Sequence, residues 1–457
     1  MDDRRRALDR AHELAAGFLD TLDDRPVWPR ATFEEMLDAL GGRLPAGGSD
    51  PVAVVADLAR LADPGLAGTA GGRFFGFVIG GELPAALGVD WLTSVWDQNA
   101  GLNSLTPAAA AAEVVAGRWI VDALGLPAGT SVGLVTGGMM ANYTCLLAAR
   151  RAVLTRHGWD VNQRGLFGAP SVRVVVGADR HDTIDRAVGL LGLGRDAVRE
   201  VATDSQGRIE TAALASVLDA EAGTGPVIVC LQAGEVHTGA FDPFTEAIEI
   251  ARRHDAWVHV DGAFGLWAAA SPRSRHLTQG MVAADSWATD AHKTLNVPYD
   301  CGVALVRDPA ALVAVFGVEA DYLIARSGDP TERAPEFSRR ARGFPVWAAL
   351  RSLGRDGLAA LVDQLCDRAA RMATGLAQIP GVEVVNDVVF TQVMTSFGDD
   401  ARTAEVGHRL LAGGEAVFTP ATWRGRGAQR CSVSSWATTP ADVDRTVEAV
   451  RLVVATL

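Results

Sequence analysis

Lysine is almost absent from this chain. Lys and Arg together number 42, and only one of them, Lys293, is lysine. Arginine stays protonated at any ordinary pH and cannot serve as an amine nucleophile. Chemistry that needs a side-chain amine therefore falls to one residue. Tyrosine is scarce as well, with three copies, Tyr143, Tyr299 and Tyr322. The five cysteines (Cys145, Cys230, Cys301, Cys366 and Cys431) are odd in number and far apart. With no Cys-x-x-Cys pair, the pattern points to neither a disulfide framework nor a zinc site, and no metal is expected. Basic excess is lacking too: the formal net charge is -13, with no long block of like charge. That argues against nucleic acid and anionic membrane as partners. No uncharged apolar run reaches the ~18 residues of a spanning helix. The longest candidate, residues 108–126, is interrupted by Glu113, Arg118 and Asp122. The N-terminus is charged from Asp2 to Arg6 and lacks the apolar core of a signal peptide. A reducing cytoplasm is the expected setting.

What is present reads as a globular chain. Its 457 residues, 48% hydrophobic and 21% charged, suit two to three domains. Three segments are expected: an N-terminal helical arm with a pocket loop (1–104), a large domain (105–344) and a small C-terminal domain (345–457). Three- and four-residue apolar spacing predicts arm helices at 1–22, 32–40 and 52–61. They have no local strands to pack on, so their apolar faces are expected to lie on another domain or subunit. Residues 71–84 set three aromatics among glycines, a loop beside a pocket or one packed in a core.

From residue 107 short apolar strands alternate with helices. Strands are predicted at 131–136, 172–177, 197–202, 226–232, 256–261, 286–289 and 302–307. This is the pattern of an α/β fold with a mostly parallel seven-stranded sheet covered by helices. Ligands of such sheets bind beyond the carboxyl ends of the strands. Residues 328–337 read as a mobile loop. Helices at 345–353 and 358–379 lead into a smaller α/β domain, with strands at 382–385, 390–395, 416–418 and 430–434 and a last helix at 441–453.

Four features fall at predicted strand ends. Gly137-Gly138-Met139 closes one strand and opens a helix, where backbone N–H groups can hold a phosphate. His181 follows the next strand and can stack on a planar ring. Asp261 ends the strand Trp257-Val258-His259-Val260, where a buried carboxylate needs a cation. Lys293 follows Asp290-Ala291-His292 one strand later, and a buried lysine becomes an amine nucleophile. Taken singly, these are a tight turn, a structural histidine, a salt-bridged or capping aspartate and a surface lysine. Taken together, a phosphate cradle, a stacking ring, a pyridinium partner and an amine form a site for pyridoxal 5'-phosphate.

The chain resembles the pyridoxal-phosphate-dependent amino acid decarboxylases related to aromatic-amino-acid and glutamate decarboxylases, of the aspartate-aminotransferase fold (fold type I). The resemblance spans roughly residues 73–450. It rests on Asp285-Ser286-Trp287, Asp290-Ala291-His292-Lys293 and Val258-His259-Val260-Asp261-Gly262-Ala263, and more weakly on Gly239-Ala240-Phe241-Asp242, Ser338-Arg339-Arg340 and Arg430-Cys431-Ser432-Val433. It implies that Lys293 carries the aldimine and that His292, Gly138 and Met139 approach the phosphate. His181 would stack on the ring and act in catalysis with Lys293. Asp261 would pair with the ring nitrogen, Ala263 would pack on the ring, and Phe77 would line the substrate pocket. It also implies a homodimer wrapped by its N-terminal helices, and decarboxylation of an α-amino acid to the amine.

Three positions depart from the family. Met139 stands where a Ser or Thr is usual, and Gly234-Glu235-Val236 replaces Gly-Thr-Thr. The segment 324–337 holds none of the three tyrosines, whereas many relatives protonate the carbanion from a loop tyrosine there. Tyr322-Leu323 matches a family Tyr-Leu that precedes that loop. The missing tyrosine raises a second reading, a carbon–carbon lyase or decarboxylation coupled to oxidative deamination, giving an aldehyde. An aminotransferase is disfavoured because no small-domain arginine can be singled out to clamp a carboxylate. A catalytically silent pyridoxal-binding protein is the reading from outside catalysis. The aromatic loop at 71–84 leans toward an aromatic or apolar substrate.

Overall fold

The computed structural model describes residues 2–317 and 328–457. Tyr322, Leu323 and the start of the segment from Ile324 lie outside the described residues. The chain opens with α1 (Asp3–Leu19), α2 (Phe33–Leu40) and α3 (Pro51–Ala62), none of which buries a residue. Then come α4 (Pro84–Trp96) and α5 (Pro107–Ala123).

The large sheet holds β1 (Ser131–Val135), β2 (Arg173–Gly177), β3 (Val198–Val201), β4 (Val227–Gln232), β5 (Trp257–Asp261), β6 (Ser286–Asp290) and β7 (Gly302–Val306). Their spatial order is β1-β7-β6-β5-β4-β2-β3. Only β7 runs antiparallel to its neighbours. Most strands are buried throughout because helices cover both faces, which is why they read as apolar runs without polar alternation. Successive residues feed opposite sides: Val175, Val229, Val258 and Val260 enter one core, and Val174, Val176, Ile228 and Trp257 the other. Six strands (β1 to β6) point their carboxyl ends to the same edge.

A second sheet, β8 (Glu383–Val384), β9 (Gln392–Ser396), β10 (Thr419–Trp423) and β11 (Arg426–Ser432), is antiparallel in the order β10-β11-β9-β8. The helix leading into it, Gly343–Ala377, breaks at Gly354 (φ 60°), so the two predicted helices are distinct arms of one element. Two expectations fail here. The apolar stretch 416–418 is core, with Val417 only bridged to Phe74, and the paired strand begins at Thr419. Residues 328–337 are tied down: Asn103 N–H donates to Asp329 (2.8 Å), Thr331 N–H to the Gly101 carbonyl (3.3 Å) and Arg333 Nη2 to the Gly328 carbonyl (2.7 Å).

Candidate active site

The strand ends at the shared edge of the large sheet surround one cavity of about 520 Å³, within the usual range for small-molecule sites. All eight residues singled out in the sequence (Phe77, Gly138, Met139, His181, Asp261, Ala263, His292 and Lys293) line it.

The Lys293 turn is fixed from outside itself. Asn296, fully buried at φ 55°, donates through Nδ2 to the carbonyls of Lys293 (3.2 Å), Thr294 (2.9 Å) and Ser434 (3.0 Å). Its Oδ1 accepts from the N–H groups of Gly81 (2.7 Å) and Trp436 (2.8 Å). One side chain thus joins the turn, the 71–84 loop and the chain beyond β11. That loop does both things its composition allowed: Phe74 and Phe75 are core, whereas Phe77 and Val78 line the cavity. Phe77 and Val78 sit at φ 56° and 57°, a left-handed pair that is unusual for bulky and β-branched residues.

Lys293 Nζ lies 3.1 Å from Oδ2 of the buried Asp290, whose Oδ1 has no hydrogen-bond partner. Gly138, first residue of the helix α6 (Gly138–Arg156), passes so near that a Cβ would stand 2.7 Å from Asp290 Oδ2. The N-terminus of α6 is therefore pressed against the lysine turn with its N–H groups at the cavity. His292 accepts from the Cys301 N–H through Nδ1 (3.1 Å) and stacks on Tyr299 at 4.2 Å. Burial, the largest influence, pulls its pKa down, so the ring is held neutral. His181 caps the helix Asp182–Leu190, its Nδ1 accepting from the Thr183 N–H (3.2 Å).

Asp261 heads a buried chain of neutral groups. Asn142, on α6, donates through Nδ2 to Asp261 Oδ2 (3.0 Å). Its Oδ1 then accepts from His259 Nε2 (2.9 Å), and His259 Nδ1 faces Ser286 Oγ (3.0 Å), which also accepts from Trp257 Nε1 (2.9 Å). Burial pushes the His259 pKa down to about 3. Ala263 N–H donates to Asp261 Oδ1 (3.3 Å). Burial pushes the Asp261 carboxyl above the ordinary aspartate range, and among the described residues no cation forms an ion pair with it. A buried carboxylate aimed into a cavity without a cation is suited to a protonated ring nitrogen. With Lys293 and the Gly137-Gly138 turn beside it, the site fits pyridoxal phosphate.

The sequence reading missed three residues in the wall. Asn142 sits one helical turn after Gly138, so both face the cavity. His237 follows the altered Gly234-Glu235-Val236 stretch. Arg430, on β11, is buried; its Nη1 donates to the Val236 carbonyl (3.1 Å) and its Nε has no partner. Among the described residues it makes no ion pair. The small-domain arginine that the sequence did not yield is therefore present. Its motif was visible, but nothing in chain order says that β11 reaches an edge built by β1 to β6.

Fold and site together define a pyridoxal-phosphate-dependent enzyme of fold type I. Residues 36–397 match the model of the pyridoxal-dependent decarboxylase conserved domain, and the chain belongs to that family. It is similar to the L-2,4-diaminobutyrate decarboxylase of Rhizobium meliloti (strain 1021), 30% identical over 381 residues covering 80% of this chain and 74% of that protein. The 4-hydroxyphenylacetaldehyde synthase of Rhodiola rosea is 27% identical over 88% of this chain and 85% of its own. The crystal structure of Oryza sativa TDC with PLP and tryptamine superposes with a TM-score of 0.93 at 24% identity, covering 100% and 98% of the two chains. The chain is a carboxy-lyase of this family, and its cofactor is pyridoxal phosphate. Among the described residues no helix is long and apolar enough to cross a membrane.

Proposed function

We propose that the enzyme decarboxylates an aromatic or apolar α-amino acid to the amine. The observation that carries this reading is the convergence of Lys293, Asp261, the Gly137-Gly138 turn and the unpaired Arg430 on one cavity. Pyridoxal phosphate, when bound, supplies the sink for the electron pair left when the carboxylate departs. Lys293 would be the amine that holds it covalently. Asp261 would pair with its ring nitrogen, with Asn142 orienting the carboxylate. Gly138, Met139 and His292 would hold the phosphate, and His181 and Ala263 would lie against the ring. Arg430, which forms no ion pair among the described residues, would take the substrate carboxylate with its guanidinium. Phe77, half exposed at the cavity, forms the wall for an apolar side chain.

The test is to supply the holoprotein with L-tryptophan, L-phenylalanine, L-2,4-diaminobutyrate and L-glutamate in turn. Carbon dioxide and the matching amine are expected, with the aromatic substrates best; no carbon dioxide from any of them would overturn the reading. A second reading, an aldehyde product, is favoured by the tyrosine-free segment 324–337 and by similarity to an aldehyde synthase. Aldehyde and peroxide in place of amine would support it.

The working unit is proposed to be a homodimer in the cytoplasm. Unburied α1–α3 expose Phe33, Leu37, Leu40 and Leu58, an apolar face suited to a second copy. All five cysteines are free, as a reducing compartment allows. Sedimentation as a monomer at micromolar concentration would exclude the dimer.

A further inference from the structure

Three histidines line the cavity, and their hydrogen bonds set them apart. His181 and His292 each accept a backbone N–H through Nδ1. A ring that accepts at Nδ1 has only Nε2 left to donate. His237 is wired the other way. Its Nδ1 stands 2.8 Å from Oε1 of Glu235, which is 1% exposed. Glu235 is itself locked: its Oε2 accepts from the N–H groups of His237 (2.9 Å) and Thr238 (2.7 Å) and from Thr238 Oγ1 (3.1 Å). A buried carboxylate at Nδ1 takes that nitrogen's N–H, fixes the ring's orientation and leaves Nε2 as the nitrogen not engaged by Glu235. The ring packs on Trp423 at 5.4 Å, and its side chain is 30% exposed, open to the cavity and to water. The charged groups facing this wall are Glu235 on its own loop, Arg430 on β11, whose Nη1 grips the Val236 carbonyl, and Arg424 beside Trp423 on β10, which is paired with Asp179.

We propose that His237, oriented by Glu235, delivers the proton that the family's loop tyrosine supplies elsewhere. This rests on the decarboxylation reading above. The Cα–carboxylate bond breaks, carbon dioxide leaves, and the electron pair stays with the substrate. The proton moves from His237 Nε2 to Cα to make the new C–H bond, and water returns a proton to the ring. Two of the three departures from the family pattern are then one adaptation: the tyrosine is gone from 324–337, and a Glu–His pair fills the Gly234–Thr238 turn.

The test compares His237→Gln with Tyr322→Phe and wild type, each as holoenzyme, with L-tryptophan and L-phenylalanine. Cofactor dissociation constant, resting absorbance, first-turnover carbon dioxide and amine yield are read separately. His237→Gln should bind the cofactor and absorb as wild type does, and should still release carbon dioxide in the first turnover. Its amine formation should fall about 100-fold or more, the usual weight of a positioned acid, with aldehyde rising in the presence of oxygen. Tyr322→Phe should form amine as wild type does. Amine at the wild-type rate from His237→Gln overturns the proposal, as does a loss confined to Tyr322→Phe. Parallel loss of cofactor binding and carbon dioxide release in His237→Gln would mark a structural role and overturn it equally. A wild-type protein that releases no carbon dioxide overturns the decarboxylation reading itself, and this proposal with it.

Discussion

Between Asp290 and Asn296 the chain buries Asp290, His292, Thr294 and Asn296 almost completely. Along α1, α2 and α3 it buries nothing. The arm is made by local signals: Asp2, Thr32 and Asp50 each cap a helix with their own side chain, and Pro51 starts α3. The Lys293 turn has no such signals. It holds its shape because Asn296 ties it to two distant segments and because Gly80 and Gly138 let backbone come within contact distance of it. Buried polar groups that are fully satisfied fix one conformation, and partly satisfied ones weaken it. One region is therefore specified by neighbours in sequence and the other by neighbours in space.

The largest expected effect breaks the chemistry and spares the fold. Lys293→Ala should abolish turnover while far-UV circular dichroism keeps its wild-type shape. Because no other lysine exists, borohydride should fix the cofactor to the wild-type protein on the peptide containing Lys293 and leave it dialysable in the variant. Cofactor fixed elsewhere, or activity in Lys293→Ala, would refute the role given to this residue.

The next tests the spatial specification. A Cβ at Gly80 would overlap the Lys293 carbonyl oxygen and lie 2.8 Å from that of His292. Gly80→Ala must push the 71–84 loop off the turn, and overpacking of this kind costs about 3 kcal/mol. Chemical denaturation should report that loss together with weaker cofactor binding. Unchanged stability would mean that the loop is free to move.

These two residues also divide what was legible from what was not. Asp261 could be read because it closes an apolar strand, and Lys293 because it is the one lysine and stands in the turn just past the next strand; a charge at either place asks for an explanation. Most strands of the large sheet were legible because burial on both faces makes them apolar runs, as in Val227–Gln232 and Gly302–Val306; β3, with Arg199 and Glu200 inside it, is buried only at Val201. Gly80, Asn142 and Arg430 matter through contacts with segments far away in the chain, and spacing carries no trace of those. β10 was misplaced because the apolar run 416–418 marks burial, whereas pairing with β11 falls on Thr419–Trp423, whose side chains alternate between the two faces. α4 went unread because it follows a glycine-rich loop and has no side-chain cap.

A smaller effect concerns the network behind Asp261. His259 is neutral in the fold, its pKa pushed down to about 3, against about 6.5 when exposed. Below pH 6.5 the unfolded chain takes up a proton that the folded one refuses. The stability contribution is therefore complete above pH 6.5 and is lost as the pH falls toward 3, at about 1.4 kcal/mol per pH unit. Unfolding free energies at pH 7 and pH 5 should differ by about 2 kcal/mol more in wild type than in His259→Gln, by the same linkage. Equal differences would show that His259 does not titrate between the two states.

The smallest effect belongs to the arm and should stay there. Thr32 Oγ1 accepts from the Glu35 N–H at 3.2 Å, and Glu35 returns the bond to the Thr32 N–H at 2.7 Å, a reciprocal cap on an eight-residue helix. An isolated helix that short is marginal in water. α2 also buries none of its residues within the subunit, so the cap carries much of what holds it. Thr32→Ala should cost about 1 kcal/mol. The loss should appear as faster amide exchange confined to residues 33–40, with global unfolding and cofactor binding unchanged, because no hydrogen bond of the cap reaches the core. If the proposed dimer covers this face, protein concentrations that favour association should slow the exchange again. A fall in global stability from this substitution would mean that the arm is coupled to the Lys293 region after all, and the contrast between local and spatial specification would not hold.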